Sequence, residues 1–333
     1  MRIFRKSSAL LISVVLVMAL MAPTAFAARP LMPNQVGATA YSYVQALTRV
    51  VNPDGSQTLL KRVAGTPAEL AAANQIKGWF EAAGISAYFQ PFTYVRRGVT
   101  YNTQNVVAYL PAAKKPKTTP APLVIVGAHY DCVSAGAGAD DNASGVAVML
   151  EVAQRIKRYN PEYDIVFVAF GAEEVGLRGS AYFASHMATA DRDRAIAMVN
   201  FDSLIVGDKL YIHAGANEKT WARDEMLRLI RLRKLPIEIQ PGLNPDYPAG
   251  FTPDGFSDYT AFNQAGIPVV AFESTNWEIG DLDGYEQTAE YGSFWHTPND
   301  TLAIIESYYP LRPMVRLEAY TDLVFEFLKH LNP

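Results

Sequence analysis

The alternation of short apolar runs with helical segments after Pro120 is the feature that most constrains the fold of this chain. The runs are rich in Val, Ile and Phe, which is typical of strands buried on both faces of a sheet. The segments between them carry apolar residues at helical spacing. The predicted strands span 123–126, 165–170, 195–199 and 267–272, and the predicted helices span 143–159, 177–187, 219–234 and 313–331. This order predicts an α/β fold, a three-layer α/β/α sandwich whose central mixed sheet is largely parallel.

One further helix is predicted before the alternating region. Thr66 is a candidate N-cap, Pro67 suits the first helical position, and Glu69 completes a capping box. The helix should continue to about Ala83, because a glycine follows it. The Pro- and Lys-rich stretch 111–120 is typical of an exposed loop.

Composition excludes several classes of protein. The 333 residues include 29 Lys and Arg and 33 Asp and Glu, a net charge of −4 that argues against a broad nucleic-acid-binding surface. The single cysteine, Cys132, excludes a disulfide scaffold, an iron–sulfur cluster and a cysteine-ligated zinc finger. We expect Cys132 to be a small buried group. With 50% hydrophobic and 19% charged residues, the chain is typical of globular rather than disordered proteins.

Residues 1–27 have the organisation of a secretory signal peptide. Basic residues precede an apolar core over 9–21, and Ala25-Phe26-Ala27 fits the small-x-small cleavage pattern. The alternative is a membrane anchor, but this core is shorter than the ~20 residues that a span needs. We therefore predict an exported protein, periplasmic or extracellular, with no stable membrane anchor after cleavage. Residues 28–333 are predicted to form a single domain, and nothing in the sequence indicates its oligomeric state.

Potential metal ligands follow three of the predicted strands. His129 and Asp131 come after the first strand, Glu173 and Glu174 after the second, and Asp202 after the third. Sheets of this type place their sites beyond the carboxyl ends of the strands. We therefore expect these side chains to meet at one edge of the sheet.

Two more residues, Asp141 and His296, complete a donor set that suits zinc, with manganese or cobalt as alternatives. Carboxylates buried this close together repel one another, and a bound dication removes that conflict. One mononuclear zinc needs three protein ligands, whereas five ligands fit two metal ions if one carboxylate bridges them. Glu173 is then available as a general base, and Asp131 is placed to orient the imidazole of His129.

The remaining histidines, His186, His213 and His330, are interpreted as ordinary surface or packing residues. Competing motifs are incomplete in the sequence: there is no Gly-x-Ser-x-Gly elbow, no His-Glu-x-x-His pair and no full dinucleotide or phosphate loop. Asp281-Leu-Asp283-Gly284 suggests a calcium loop but lacks the rest of that pattern.

The spacing of the candidate residues matches a set of family motifs. These are His129-x-Asp131, Asp141-Asn142-x-Ser144-Gly145, Glu173-Glu174-x-Gly176-x-x-Gly179-Ser180, Asn200-Phe-Asp202 and His296. Together they resemble the secreted co-catalytic di-zinc aminopeptidases, and the similarity runs from about Arg62 to the C-terminus. The resemblance implies a sandwich of the zinc-exopeptidase type and two Zn²⁺ ions per chain. It also implies that peptide or protein N-termini are the substrates, hydrolysed by water activated at the zinc pair.

The resemblance further implies a role for each candidate. The implied ligands form two sets that share one member: His129 and Asp202 for one zinc, Glu174 and His296 for the other, and Asp141 as the bridge. Glu173 would be the general base and acid, and Asp131 would support His129. Whether Trp295, Tyr285 or the zinc ions alone stabilise the oxyanion is left open by the resemblance.

A long acidic segment bears on the substrate. From 235 to 311 the sequence has no Lys or Arg, and its acidic residues are Glu238, Asp246, Asp254, Asp258, Glu273, Glu278, Asp281, Asp283, Glu286, Glu290, Asp300 and Glu306. One interpretation is a solvated surface that aids solubility. The other is an acidic rim that attracts cationic substrate ends, which predicts removal of basic N-terminal residues, arginine above leucine.

Two other classes of function remain open. The same scaffold supports zinc carboxypeptidases and a single-zinc glutaminyl cyclase. A carboxypeptidase should present cationic side chains to a C-terminal carboxylate. The acidic segment has no Lys or Arg near His296, which argues against this class. Arg178, which lies outside that segment, is the one candidate for such a cation. A non-catalytic, receptor-like ectodomain should have lost ligands, whereas every ligand position is filled here.

Overall fold

The computed structural model describes residues 35–114 and 116–332, so the predicted signal peptide lies outside the described residues and stays a prediction. The strands, in chain order, are β1 (Arg49–Val51), β2 (Gln57–Leu59), β3 (Ser86–Arg96), β4 (Val99–Leu110), β5 (Leu123–His129), β6 (Asp164–Phe170), β7 (Ala195–Phe201), β8 (Lys209–Gly215), β9 (Ile237–Glu238), β10 (Phe251–Thr252) and β11 (Val269–Thr275). The first two form a separate antiparallel hairpin.

The helices surround the strands. In chain order they are α1 (Ala38–Thr48), α2 (Pro67–Ala82), α3 (Gly145–Tyr159), α4 (Arg178–Ser185), α5 (Thr189–Asp193), α6 (Trp221–Arg233), α7 (Tyr259–Gln264), α8 (Leu302–Tyr308) and α9 (Arg312–His330). A π-helical turn, Ala139–Ser144, leads directly into α3. Within the described part of the chain, no helix combines the length and the apolar character needed to cross a membrane.

The remaining strands of the described residues form one mixed sheet. Its order is β10-β8-β11-β7-β5-β6-β4-β3, with β9 beside β8. The four central strands, β11, β7, β5 and β6, are mutually parallel, whereas β8 and β4 flank them antiparallel. The predicted α/β class with a largely parallel central sheet is confirmed.

Helices cover both faces of this sheet because its central strands are apolar on both faces. Val124 and Val126 of β5 lie in the larger core cluster with residues of α1, α2, α3, α6 and α9. Ile125, between them in sequence, lies in the second cluster with Phe183 of α4 and Phe262 of α7. Successive side chains of a strand point to opposite faces, so the one strand supplies both cores. The result is the three-layer arrangement that the sequence predicted.

The observed elements match the predicted ones and adjust their ends. The capped helix is α2, and Thr66 Oγ1 accepts a hydrogen bond from the backbone N–H of Glu69. The helix predicted from residue 143 begins at Gly145, because the π-helical turn replaces its first residues. The stretch 111–120 does lie between β4 and β5. The sequence did not predict the β1–β2 hairpin, the long strands β3 and β4, the short strands β9 and β10, or the helices α1, α5, α7 and α8.

Candidate metal centre

Three neighbouring strands deliver candidate ligands to one edge of the sheet. His129 is the last residue of β5, Asp202 directly follows β7, and Glu173 and Glu174 follow β6. Because β7, β5 and β6 are adjacent and parallel, their carboxyl ends lie side by side. All four of these side chains line one cavity, together with Asp141 from the π-helical turn. The predicted strand-end residues therefore lie together.

Asp141 lies between two histidines and faces each with a different oxygen. Its Oδ1 is 3.2 Å from His129 Nε2, and its Oδ2 is 3.2 Å from His296 Nε2. On one side, Asp202 Oδ1 lies 3.3 Å from His129 Nε2. On the other side, Glu174 Oε2 lies 3.0 Å from His296 Nε2. The five side chains thus form two groups that share the Asp141 carboxylate.

The donor atoms have the chemistry and spacing that zinc requires. Nδ1 of His129 lies 3.2 Å from the carbonyl oxygen of Asp131, which can only accept, so the proton belongs on Nδ1 and the Nε2 lone pair is free. That lone pair faces carboxylate oxygens, an arrangement that favours a cation between them. Two ligands about 2.0 Å from a tetrahedral zinc lie about 3.3 Å apart, close to the separations observed here. The residues present therefore fit zinc.

The charges of the site are unbalanced without a cation. Burial raises the pKa of Glu173 well above its usual value, and burial together with the charge of Asp141 raises the pKa of Glu174 to about 7. Burial lowers the pKa of His129, but Glu173 and Asp202 outweigh it and raise that pKa well above the usual range. Burial also opposes ionisation of Asp141, but hydrogen bonds with the two histidines outweigh it and lower its pKa. All four shifts reflect buried carboxylates crowded around two imidazoles, which a dication would relieve.

Asp131 binds the turn that carries the two glutamates. Its two carboxylate oxygens accept hydrogen bonds from the backbone N–H groups of Glu173, at 3.0 Å, and Glu174, at 3.2 Å. Its Oδ1 lies 3.7 Å from His129 Nδ1, which is beyond hydrogen-bond distance. The backbone carbonyl of Asp131, rather than its carboxylate, is the nearer partner of the ring. Asp131 therefore links the ligand at the end of β5 to the turn after β6.

Several buried residues that hold the ligand loops were not predicted. Asp300 accepts hydrogen bonds from the backbone N–H groups of Asp140 and Asp141, at 2.7 and 3.2 Å. Ser257 donates a hydrogen bond to Asp202 Oδ2 at 2.6 Å. Arg62 is fully buried, and its guanidinium donates to four backbone carbonyls, three of which lie in the loop between β5 and the π-helical turn. No local sequence pattern indicated these contacts, because they depend on tertiary structure.

A cavity of about 300 Å³ opens beside the ligands. Among the described residues that line it there is no Lys or Arg, and its carboxylates outside the candidate metal set are Glu273 and Asp283. His213 is buried, as a packing residue would be, and it also lines the cavity, which the sequence did not indicate. His186 and His330 are exposed and lie outside the lining, as expected. Cys132 is buried, as predicted, and burial raises its thiol pKa to about 11.

Comparison with known families agrees with this geometry. Residues 105–310, which include every candidate ligand, match the model of peptidase family M28. The chain belongs to peptidase family M28. The predicted resemblance is thereby confirmed, as is the prediction of a zinc-dependent hydrolase that acts on peptide bonds.

Two relatives illustrate the extent of the similarity. The alkaline phosphatase isozyme conversion protein of Escherichia coli (strain K12) is 34% identical over 262 residues, covering 71% of this chain and 75% of that protein. Aminopeptidase YwaD of Bacillus subtilis (strain 168) is 32% identical over 231 residues, covering 67% of this chain but 43% of that protein. The M28 chain thus spans less than half the length of the second relative.

Solved structures share the fold at lower identity. A zinc aminopeptidase from Bacillus subtilis superposes with a TM-score of 0.68 at 19% identity, covering 87% of this chain and 95% of that chain. A glutaminyl cyclase from Tannerella forsythia superposes with a TM-score of 0.65 at 18% identity, covering 89% of this chain and 98% of that chain. Both likenesses concern the fold, because enzymes of two different activities share it.

Proposed function

We propose that this M28 chain is an aminopeptidase that holds two zinc ions. In this proposal His129 and Asp202 hold one ion, Glu174 and His296 hold the other, and Asp141 bridges them. The observation that carries the proposal is the placement of Asp141, whose two oxygens face the two histidines at 3.2 Å each. A carboxylate so placed can give one oxygen to each of two neighbouring cations.

Zinc bound at this site would supply Lewis acidity, lowering the pKa of water and stabilising negative charge on the attacked carbonyl. Glu173 would accept the proton of the attacking water and donate it to the departing amine nitrogen. Its position supports this role: it lines the cavity, and an oxygen of its carboxylate lies within 4.8 Å of ligand atoms of His129 and Asp202. Burial raises the pKa of Glu173, which makes its carboxylate a stronger proton acceptor. Asp131 would keep the glutamate turn in position through its two backbone hydrogen bonds.

The polarity of the cavity favours binding of an N-terminus over a C-terminus. A carboxypeptidase must bind a carboxylate, and among the described lining residues no Lys or Arg is available for it. Arg178, the possible exception, is exposed and does not line the cavity. A free α-amino group is cationic at neutral pH and suits an acidic cavity. For the same reason we propose a preference for Arg or Lys as the N-terminal residue.

We also propose that the protein is exported, with residues 1–27 removed and residues 28–333 acting as one catalytic domain. The basic start, the apolar core and the Ala25-Phe26-Ala27 site support this proposal. Expression with the full leader, followed by N-terminal sequencing of the secreted or periplasmic protein, tests it. A new terminus at Ala28 is expected, and recovery of the intact leader in a membrane fraction would reject it.

The central experiment digests a panel of peptides that vary at both ends. The purified protein is assayed with zinc, with a chelator, and after zinc is restored. We expect stepwise release of N-terminal residues that chelation abolishes and zinc restores. Metal analysis of the active protein should give about two zinc ions per chain. Release of C-terminal residues, or cyclisation of N-terminal glutamine without hydrolysis, would replace the proposed function with one of the alternatives.

A further inference from the structure

We propose that Glu273 binds the cationic side chain of the substrate's N-terminal residue, with Asp283 as a second carboxylate nearer the mouth of the cavity. This inference rests on the proposed aminopeptidase function and names the residues that would determine its specificity. Both residues line the same cavity as the candidate metal ligands.

Glu273 lies one strand away from the metal centre. Phe201 of β7 and Phe272 of β11 are partners in the parallel ladder, and the next residues along the two strands are Asp202 and Glu273. The backbone N–H of Asp202 donates a hydrogen bond to the carbonyl of Phe272 at 3.0 Å, which keeps this register beyond the strand end. Neighbouring strands lie about 4.8 Å apart, so Glu273 is within reach of a side chain whose α-amino group lies at the metal site.

One oxygen of the Glu273 carboxylate is fixed and the other is available. Oε1 accepts a hydrogen bond from Trp277 Nε1 at 2.5 Å and lies 2.9 Å from His213 Nε2. Oε2 receives no hydrogen bond from any described residue, and 21% of the side chain is exposed. A carboxylate held by one oxygen and open at the other is suited to receive a guanidinium or ammonium group.

The residues that line the cavity include buried polar atoms that lack hydrogen-bond partners within the described residues. His213 is 1% exposed, and its Nε2 contacts Glu273 Oε1 whereas its Nδ1 has no such partner. The indole nitrogen of Trp295 is likewise buried without a partner there. Buried polar groups are rarely left unsatisfied, so these atoms indicate that the cavity takes a polar ligand or ordered water.

Trp277 connects the Glu273 carboxylate to the loop 283–285 at the mouth of the cavity. Its ring packs so closely under Gly284 that a Cβ atom at residue 284 would lie 2.5 Å from it. Asp283 and Tyr285 flank this glycine and line the cavity, and Tyr285 is 61% exposed. An aromatic ring at the mouth adds a favourable surface for a cation that enters.

The net charge of the cavity also favours a cationic side chain. Asp141, Glu173, Glu174 and Asp202 surround the metal centre, where bound dications would offset their charge. Glu273 and Asp283 remain uncompensated, apart from the contact with His213. Most other acids of the acidic segment are used elsewhere or lie outside the cavity: Asp300 is bonded to the ligand loop, for example, and Glu278 pairs with Lys209.

The test compares arginyl, lysyl and leucyl amides as substrates of the zinc-loaded protein and of Glu273→Gln. Loss of one charge-assisted contact is expected to lower kcat/KM for the arginyl and lysyl substrates roughly 10- to 100-fold. The leucyl substrate should be little affected. Glu290→Gln is the matched control, because it removes the same charge from an exposed residue of the acidic segment that does not line the cavity. Asp283→Asn should give a smaller loss that is also selective for the cationic substrates.

The outcomes separate this inference from the function on which it rests. A selective loss for cationic substrates supports it, and an equal loss for all three substrates overturns it, since Glu273 would then serve only the structure. A wild-type protein that prefers the leucyl amide overturns the specificity while the aminopeptidase stands. A wild-type protein that releases no N-terminal residue overturns both. If Glu273→Gln does not fold, Asp283→Asn and inhibition of the wild type by arginine hydroxamate against leucine hydroxamate decide the question.

Discussion

Glu173 and Glu174 are adjacent in sequence but have different roles in our proposal: Glu173 transfers the proton, and Glu174 is a zinc ligand. We expect Glu173→Gln to keep its zinc and to lose about 10²- to 10⁴-fold in kcat, because an amide cannot accept the proton of water. Zinc content by atomic absorption and steady-state kinetics check this together. Glu290→Gln, which removes an exposed carboxylate that does not line the cavity, serves as the control. Normal turnover by Glu173→Gln would require another base.

Asp141→Ala provides the opposite phenotype at the same site. Because Asp141 would contribute one oxygen to each zinc ion, we expect the variant to bind metal much more weakly and to lose activity for that reason. Equilibrium dialysis with zinc, at the protein concentration used for the wild type, checks the expectation. Retention of two tightly bound ions would remove Asp141 from the ligand set, whatever its activity.

The candidate ligands were predictable residue by residue, whereas their supports were not. His129 and Asp202 follow the ends of apolar runs that predict strands, and the fold places the carboxyl ends of such strands at one edge of the sheet. Arg62 gives no such signal, because its importance depends on carbonyls that fold back to it from the loop 130–138. The same holds for His213, whose place in the cavity depends on the antiparallel pairing of β8 with β11.

Helix α2 carries a titratable group in its first turn, Glu69, whose carboxylate reaches the N–H of Gly65 rather than that of the N-cap Thr66. Glu69 accepts hydrogen bonds from Gly65 N–H and Thr103 Oγ1, and burial, reinforced by the charge of Asp131, raises its pKa to about 7 against an ordinary 4.5. A raised folded-state pKa stabilises the fold fully below pH 4.5, and this contribution is lost as pH rises through 7. Glu69→Gln cannot titrate. We therefore expect its stability relative to the wild type to improve by about 3 kcal/mol between pH 4.5 and pH 8.

Denaturant unfolding of both proteins at the two pH values measures this difference. Thr66→Ala is the matched control, since it weakens the same cap without removing a titrating group, and should cost about 1 kcal/mol at both pH values. A stability difference between Glu69→Gln and the wild type that does not change with pH would show that the carboxyl titrates normally.

The elements that were predicted have local signals, and those that were missed depend on distant residues. The N-terminus of α1 has no side-chain cap of its own; instead Glu151 of α3 accepts hydrogen bonds from Gly37 N–H and Ala40 N–H. Strand β3 contains Pro91, which argues against a strand in sequence but is tolerated because β3 lies at the edge of the sheet. The β5 and β6 runs, by contrast, are apolar on both faces and were evident from sequence alone.

At the scale of the whole molecule, the candidate metal centre joins parts of the chain that are far apart in sequence. Its ligands come from the ends of three central strands, from the π-helical turn and from the loop between β11 and α8. The sheet and the two cores fix the strand ends, but His296 is 47% exposed and lies in a long loop. Bound metal would therefore contribute stability mainly by fixing this loop and by compensating the buried carboxylates.

Removal of zinc should for this reason lower the stability of the whole domain. A ligand that binds only the folded state at a thousand times its Kd adds about 4 kcal/mol, so chelation should lower the Tm by several degrees and zinc should restore it. Calorimetry of the zinc-loaded, chelated and reloaded protein measures the shift. Asp141→Ala should show little difference among the three conditions, because the bridge through which both ions would act is missing. An equal shift in Asp141→Ala and the wild type would place the stabilising zinc elsewhere, and an unchanged wild-type Tm would mean that the carboxylates at the strand ends are accommodated without a metal.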